Sequence, residues 1–142
     1  MPTLRPYHIF ISHAWKYGEN YYQLEHMLNS ASNFTYYNYS APEDKPLHNL
    51  DSTDVETVRQ IKSAIDRKIS ACSCILIISG MYYNHRRWMQ YEIETAQRMN
   101  KPIIAIKPRG AQIMPQEIMQ VADKIVNWYT DSIVAAIREF SI

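Results

Sequence analysis

The sequence predicts a three-layer α/β sandwich, with helices on both faces of a five-stranded parallel sheet. Apolar strand-like runs and amphipathic helix-like segments alternate about five times along the chain, which is typical of βαβ units. Residues 75–78 are four consecutive aliphatic side chains that end at Ser79 and Gly80, as expected of a central strand buried on both faces. The length of 142 residues suits one core, so we assign residues 1–142 to a single domain.

The chain is predicted to begin with a strand, a helix and a second strand. Tyr7–Ser12 is a short apolar run and is interpreted as the first strand. Apolar residues at helical spacing within 19–30 mark the first helix. The segment 34–39 mixes β-forming residues with polar ones, which suits an edge strand. Residues 40–51 predict a long loop, because they hold two prolines and show no periodicity.

The remaining elements continue the alternation. A second helix is expected to begin near residue 52, where Thr53 and Glu56 fit a capping box. The later predicted elements are a strand at 73–78, a helix at 86–99, a strand at 101–108, a short helix at 115–121, a strand at 124–128 and a helix at Thr130–Phe140. Right-handed crossovers favour the flavodoxin-like strand order 2-1-3-4-5. The winding then reverses between the first and third strands, and ligands are expected at the carboxyl ends of those strands.

Composition argues against several functional classes. A net charge of +1 gives no long-range field that would favour nucleic acid or an anionic membrane as a partner. The longest apolar run is far short of the roughly 20 residues that a membrane-spanning helix needs. The first residues lack a signal-peptide core, so we expect a cytoplasmic protein. With only three glycines, the chain cannot build a Gly-rich phosphate loop.

The two cysteines, Cys72 and Cys74, form a C-x-C pair. Residues two apart on a strand share a face, but their geometry is poor for a mutual disulfide. A metal site would need a second group of ligands, and the sequence offers none. We therefore interpret the pair as two small buried residues at the entrance of the central strand.

Glu92 is the candidate catalytic residue. On the predicted third helix, Trp88 precedes it by four residues and so shares its face, whereas Glu94 lies about 200° around the helix axis. Ile93 and Ala96 form the adjacent core face. Glu92 is thus expected at the border of the apolar stripe, partly shielded from water, where a carboxylate is well placed to act on a ribose ring. The alternative is a surface residue favoured by the helix dipole.

Two predicted loops meet at the reversal of winding. His13 and Trp15 follow the first strand, and Tyr83 and Asn84 follow the third. Their aromatic rings are suited to stacking on a base, and polar groups here to contacting a ligand. The alternatives remain open: the rings cover the end of the sheet, and His13 is a loop or cap residue.

Other chemistries known on this topology lack their residues. A phosphoacceptor receiver needs an acidic pair after the first strand and an aspartate after the third, where this chain has Ser12-His13 and Ser79-Gly80. A flavodoxin needs a small-residue phosphate loop after the first strand, where residues 13–17 are bulky. The G-x-S-x-G motif of a nucleophile elbow does not occur.

Three motifs, in this order, resemble those of TIR domains. Phe10-Ile11-Ser12-His13 resembles the first-strand signature, Trp88-x-x-x-Glu92 the third-helix motif, and residues 101–106 the fourth strand. The chain is most similar to the bacterial TIR-like group that includes the TIR proteins of Thoeris antiphage defence, over almost its whole length. It departs from the family at Met89, where a cysteine often follows the tryptophan, and at 40–51, which lacks the usual compact switch-loop pattern.

The resemblance implies cleavage of the N-glycosidic bond between nicotinamide and ribose in NAD, an activity of the NAD glycohydrolase or ADP-ribosyl cyclase kind. NAD is then a substrate, and no cofactor or metal is implied. Glu92 takes the catalytic role beside an oxocarbenium-like ribose. The implied substrate-binding residues are Phe10, Ser12, His13, Ala14, Trp15, Ser79, Tyr83, Asn84 and Trp88. The product, a cyclic or otherwise modified ADP-ribose, would reach a separate effector by diffusion.

Two other functions are compatible with the same sequence. A non-catalytic TIR module would assemble with other TIR domains through TIR–TIR contacts and release no nicotinamide. An enzyme similar to nucleoside deoxyribosyltransferases would also use a glutamate on a helix, but it would exchange bases on deoxynucleosides. The absence of an acidic residue after the first strand argues against the second of these.

Overall fold

Strands and helices alternate in the structure as the hydrophobic pattern predicts. The structure, a computed structural model, describes residues 6–12, 18–39, 53–78, 86–108 and 114–142. Within these ranges the elements are β1 (Tyr7–Ser12), α1 (Gly18–Ser30), β2 (Tyr36–Asn38), α2 (Val55–Ser70), β3 (Cys74–Ile78), α3 (Arg86–Arg98), β4 (Ile103–Lys107), α4 (Gln116–Val121), β5 (Lys124–Asn127) and α5 (Thr130–Phe140). The element order is the predicted one, and most boundaries shift by one or two residues.

The five strands form a parallel sheet in the order β2-β1-β3-β4-β5, which confirms the flavodoxin-like prediction. Among the described residues β2 pairs only with β1, so it is the edge strand that its polar composition indicates. The sheet grows outward from β1 to β2 on one side and from β3 to β5 on the other. Ser12 pairs with Ile77, so the carboxyl ends of β1 and β3 adjoin where the winding reverses.

Helices cover both faces of the sheet. Because side chains alternate along a strand, Ile9 and Leu76 pack into a cluster with α1 and α5. Phe10, Ile75 and Ile77 belong to the opposite cluster, with side chains of α2, α3 and α4. Every residue of β3 is 0% exposed, which confirms that it is the central strand.

The start of α2 differs from the prediction. The cap is Asp54, not Thr53: the Asp54 carboxylate accepts hydrogen bonds from the backbone N–H and the hydroxyl of Thr57 at 2.9 Å and 3.0 Å. The predicted capping box between Thr53 and Glu56 was therefore wrong. Several consecutive residues here are good caps, and local preference cannot choose among them.

The two cysteines are free and buried, as predicted, but they do not share a face. Cys74 lies in the cluster of α1 and α5, whereas Cys72 packs on the side of α2 and α3. The reason is that Cys72 precedes the strand: its N–H donates to the Ile69 carbonyl, and its thiol donates to the Lys68 carbonyl at 3.1 Å. Burial raises the pKa of Cys72 to about 12 and that of Cys74 to about 11, so both are unreactive thiols.

The segment 40–51 lies outside the described residues, and so does its predicted role as a long loop. Across the described ranges, no helix combines the length and apolar character needed to cross a bilayer. The same ranges contain no group of three or more histidine, cysteine, aspartate or glutamate residues arranged to hold a metal ion.

Candidate active site

Glu92 lies on α3, the helix that follows the central strand, and its side chain is 1% exposed. The helix packs Met89, Ile93 and Ala96 against the sheet. Glu92 is three residues from Met89 and four from Ala96, so it lies on the same inward face. Glu94 is exposed, and only one of the two carboxylates faces inward, as predicted. Glu92 is more deeply buried than the partial shielding that the sequence indicated. The reason is that the face of α3 that packs against the sheet is wider than the stripe of apolar residues on this helix.

Ser12 is the hydrogen-bond partner of Glu92. Its hydroxyl donates to Oε1 of Glu92 at 2.5 Å, and the serine itself is 0% exposed. Ser12 is the last residue of β1, and its side chain lies on the same side of the strand as that of Phe10. The contact joins two residues that are 80 positions apart. It lies where ligands bind in sheets of this topology, at the carboxyl edge beside the reversal of winding.

The second carboxyl oxygen of Glu92 is buried and has no hydrogen-bond partner among the described residues. Burial raises the pKa of Glu92 to about 8, and the hydrogen bond from Ser12 acts in the opposite direction without cancelling this effect. At neutral pH the side chain is therefore mostly a neutral carboxylic acid. A titratable group with a strongly perturbed pKa at a ligand-binding edge is typical of a functional site.

Contacts with α2 hold α3 in place around Glu92. The Tyr91 hydroxyl donates to Oδ1 of Asp66 at 2.7 Å, and Arg98 pairs with the same oxygen at 3.3 Å. The ammonium group of Lys62 lies 5.2 Å from the centre of the Tyr91 ring. The Trp88 ring, which is 9% exposed, meets Tyr91 edge to face at 6.1 Å. Sequence reasoning missed Tyr91 and Asp66, because their pairing depends on how two helices pack.

Four of the predicted site residues lie in the part of the chain that the structure describes, and all are buried on the same side of the sheet: Phe10, Ser12, Trp88 and Glu92. The structure brings Ser12 and Glu92 into direct contact. The other predicted substrate-binding residues lie outside the described ranges: His13, Ala14, Trp15, Ser79, Tyr83 and Asn84. Their roles stay predictions.

Fold and site together define a flavodoxin-like α/β protein with a buried carboxyl group at the ligand-binding edge of its sheet. Compared with known families, the chain matches the one described as Thoeris protein ThsB, TIR-like domain, over residues 10–113. The match spans well over half of the chain and includes both Ser12 and Glu92. The chain therefore belongs to this TIR-like family of Thoeris antiphage defence, which confirms the resemblance in its motifs. No curated protein matches it.

Proposed function

We propose that this TIR-like protein cleaves the bond between nicotinamide and ribose in NAD, and that Glu92 is the catalytic residue. The observation that carries the proposal is the state of Glu92: it is buried at the carboxyl edge of the sheet, with Oε1 held by Ser12 and Oε2 unpaired within the described part of the chain. Membership of the TIR-like family supports a reaction of this class.

The chemistry needs a negative charge that faces a developing positive one. When the bond from ribose C1′ to the nicotinamide nitrogen breaks, both bonding electrons leave with nicotinamide, and positive charge passes to the ribose. A carboxylate beside this oxocarbenium-like centre stabilises it, more strongly where water is excluded. Water then adds to C1′ and loses a proton to solvent, which gives ADP-ribose, or a nucleophilic atom of the same molecule adds to C1′ and gives a cyclic form.

The raised pKa of Glu92 suits a cationic substrate. Before NAD binds, the neutral acid avoids the cost of a buried charge. The nicotinamide ring of NAD carries a positive charge, and a nearby positive charge favours the ionised form of a carboxyl group. Substrate binding would thus release the proton of Glu92 to the solvent and leave a carboxylate in place for the reaction.

The product connects this chemistry to defence. We propose that the protein acts in the cytoplasm, where it turns NAD into an ADP-ribose-derived signal that diffuses to a separate effector. Self-assembly through TIR–TIR contacts is a second proposed interaction, and it would raise the local concentration of active sites. Membership of the Thoeris family supports a role in antiviral defence.

The test is nicotinamide release from NAD by the purified chain at high protein concentration. Wild type is compared with Glu92→Gln and with Glu94→Gln, a matched control on the exposed side of the same helix. We expect release by wild type and Glu94→Gln, and a rate at least about 100-fold lower for Glu92→Gln, because the neutral amide cannot stabilise the ribose cation. The mass of the product then identifies the signal.

Two outcomes would count against the proposal. A rate near that of wild type in Glu92→Gln would remove this residue from the catalytic role. If no variant released nicotinamide while wild type formed larger oligomers as its concentration rose, the chain would be an assembly module instead of an enzyme.

A further inference from the structure

The hydroxyl group of Ser12 forms a hydrogen bond with the carboxyl group of Glu92. It donates to Oε1 at 2.5 Å, and both side chains are shielded from solvent. A serine hydroxyl carries a single hydrogen, so a hydroxyl that donates to Oε1 cannot also donate to a substrate. The contact therefore uses the donor of Ser12, and only the lone pairs of its oxygen are left to accept a hydrogen bond from a substrate.

The two carboxyl oxygens of Glu92 differ in their hydrogen bonding. Oε1 accepts the Ser12 hydroxyl, whereas Oε2 is buried without a hydrogen-bond partner in the described ranges. A buried carboxyl oxygen without a partner is costly, and such atoms in native proteins call for an explanation. An oxygen kept for a hydroxyl or a cationic carbon of the substrate provides one.

We infer that Ser12 is a positioning residue, which holds Oε1 of Glu92 so that Oε2 is the oxygen that meets the ribose of the substrate. The inference rests on the proposed function and deepens it, because it gives each oxygen of the catalytic carboxyl group a separate task. Ser12 acts through Glu92, without touching the reacting atoms.

The hydrogen bond from Ser12 also stabilises the ionised form of Glu92. Within the described part of the chain, two influences act on the pKa of Glu92, burial and the Ser12 hydrogen bond, and of these the hydrogen bond favours the charged form. Across from α3, the charged residues Lys62 and Asp66 of α2 contact Tyr91, and the strands that face α3 present the apolar side chains of the core cluster around Phe10. Loss of the hydroxyl would therefore leave burial unopposed among the described groups.

The experiment compares Ser12→Ala, which removes the hydroxyl, with Ser12→Thr, which keeps it. Ser73→Ala is the matched control. Ser73 is a buried serine just before β3, so it lies at the amino ends of the strands, whereas Ser12 lies at their carboxyl ends. The pKa of Glu92 is measured without NAD by NMR titration of ¹³C-labelled glutamate, with the signal assigned by its loss in Glu92→Gln. Nicotinamide release is then measured as kcat/KM against pH.

We expect Ser12→Ala to raise the pKa of Glu92 by about one to two pH units, as loss of a hydrogen bond to a charged group implies. The pH profile of kcat/KM should move to higher pH by the same amount. Ser12→Thr should restore both values towards those of wild type, and Ser73→Ala should change neither.

Each contrary result has a distinct meaning. An unchanged titration in Ser12→Ala would overturn the coupling between the two residues. A shifted titration with an unshifted rate profile would reduce Ser12 to a structural role. Absence of nicotinamide release from every protein would overturn the proposed function, and with it the role of Ser12 in catalysis, while the titration would still decide the coupling.

A second measurement covers the case in which the extra methyl group of Ser12→Thr prevents folding. The unfolding free energies of Ser12→Ala, of Glu92→Leu, whose side chain cannot accept the Ser12 hydroxyl, and of the double variant form a thermodynamic cycle. We expect non-additive effects, because the two side chains are in direct contact. Strict additivity would overturn the inference.

Discussion

A buried carboxyl group with one hydrogen-bond donor opposes folding once it ionises. Glu92 is in this position: its pKa rises from an ordinary value of 4.5 to about 8 because the side chain is removed from water. A core residue chosen for stability alone would be apolar at this place, next to Met89 and Ile93. A carboxyl group at this place, with a hydroxyl donor beside it, is expected where a site gains chemistry at a cost in stability.

The pH dependence of stability follows from this pKa. Between about pH 4.5 and pH 8 the folded chain holds a proton on Glu92 that the unfolded chain has released. The contribution of this group is therefore greatest below pH 4.5, and it is lost as the pH rises towards 8, by up to about 1.4 kcal/mol per pH unit. We expect Glu92→Gln, which does not titrate, to gain stability relative to wild type across this range and to level off above it.

Urea unfolding at a series of pH values measures this difference, and Glu94→Gln is the control on the exposed side of α3. The control should show no comparable trend relative to wild type. A difference between Glu92→Gln and wild type that stays constant from pH 5 to pH 8 would mean that Glu92 is ionised throughout, in contradiction to its burial.

At the scale of elements, the position of α3 decides where Glu92 lies. The helix is held to the sheet by its apolar face and to α2 by Tyr91 and Arg98, which share Asp66. The Tyr91 hydrogen bond is partly buried, and its donor ring also packs against Trp88. The hydrogen bond between Tyr91 and Asp66 therefore helps to hold the helix that carries Glu92 in its position.

We expect Tyr91→Phe to lower the free energy of unfolding by about 1 kcal/mol, because it removes one hydrogen bond and keeps the ring. Urea unfolding measures the change. Tyr129→Phe is the matched control, since the Tyr129 side chain is 62% exposed. Equal stability of Tyr91→Phe and wild type would show that Arg98 alone suffices to satisfy Asp66.

At the scale of the whole molecule, the order of the strands places similar residues in different environments. Ile104 and Ile125 are both isoleucines on neighbouring parallel strands. Ile104 is 0% exposed because β4 is covered on both faces, whereas Ile125 is 43% exposed because β5 closes the edge of the sheet. Strand order thus decides which apolar residues form the core.

This difference predicts unequal effects of the same substitution. We expect Ile104→Ala to lower the free energy of unfolding by about 2 to 5 kcal/mol, through lost burial and the cavity left behind. Ile125→Ala should cost less than about 1 kcal/mol, since its side chain is largely in water already. Chemical denaturation of the two variants measures both values, and similar losses would contradict the edge position of β5.

Local patterns in the sequence are sufficient to predict the elements. The apolar run at 75–78 can only be accommodated between two covered faces, and the helical spacing of Leu24 and Leu28 predicts a helix with one buried side. Such features depend on neighbours within a few positions. They also predict that Glu92, four residues after Trp88, lies at the border of the apolar stripe of its helix.

The alternation of strands and helices, the parallel sheet, the family motifs and the candidate Glu92 all follow from the amino-acid sequence. Three features appear only in the folded chain: the pairing of Ser12 with Glu92, the Asp54 cap of α2, and the packing of Cys72 and Cys74 on different sides of the sheet. They differ from the first group in the distance along the chain over which the interactions act. Periodicity and residue preference act over a few positions, whereas the Ser12 contact joins residues 80 positions apart and exists only once β1, β3 and α3 have packed together.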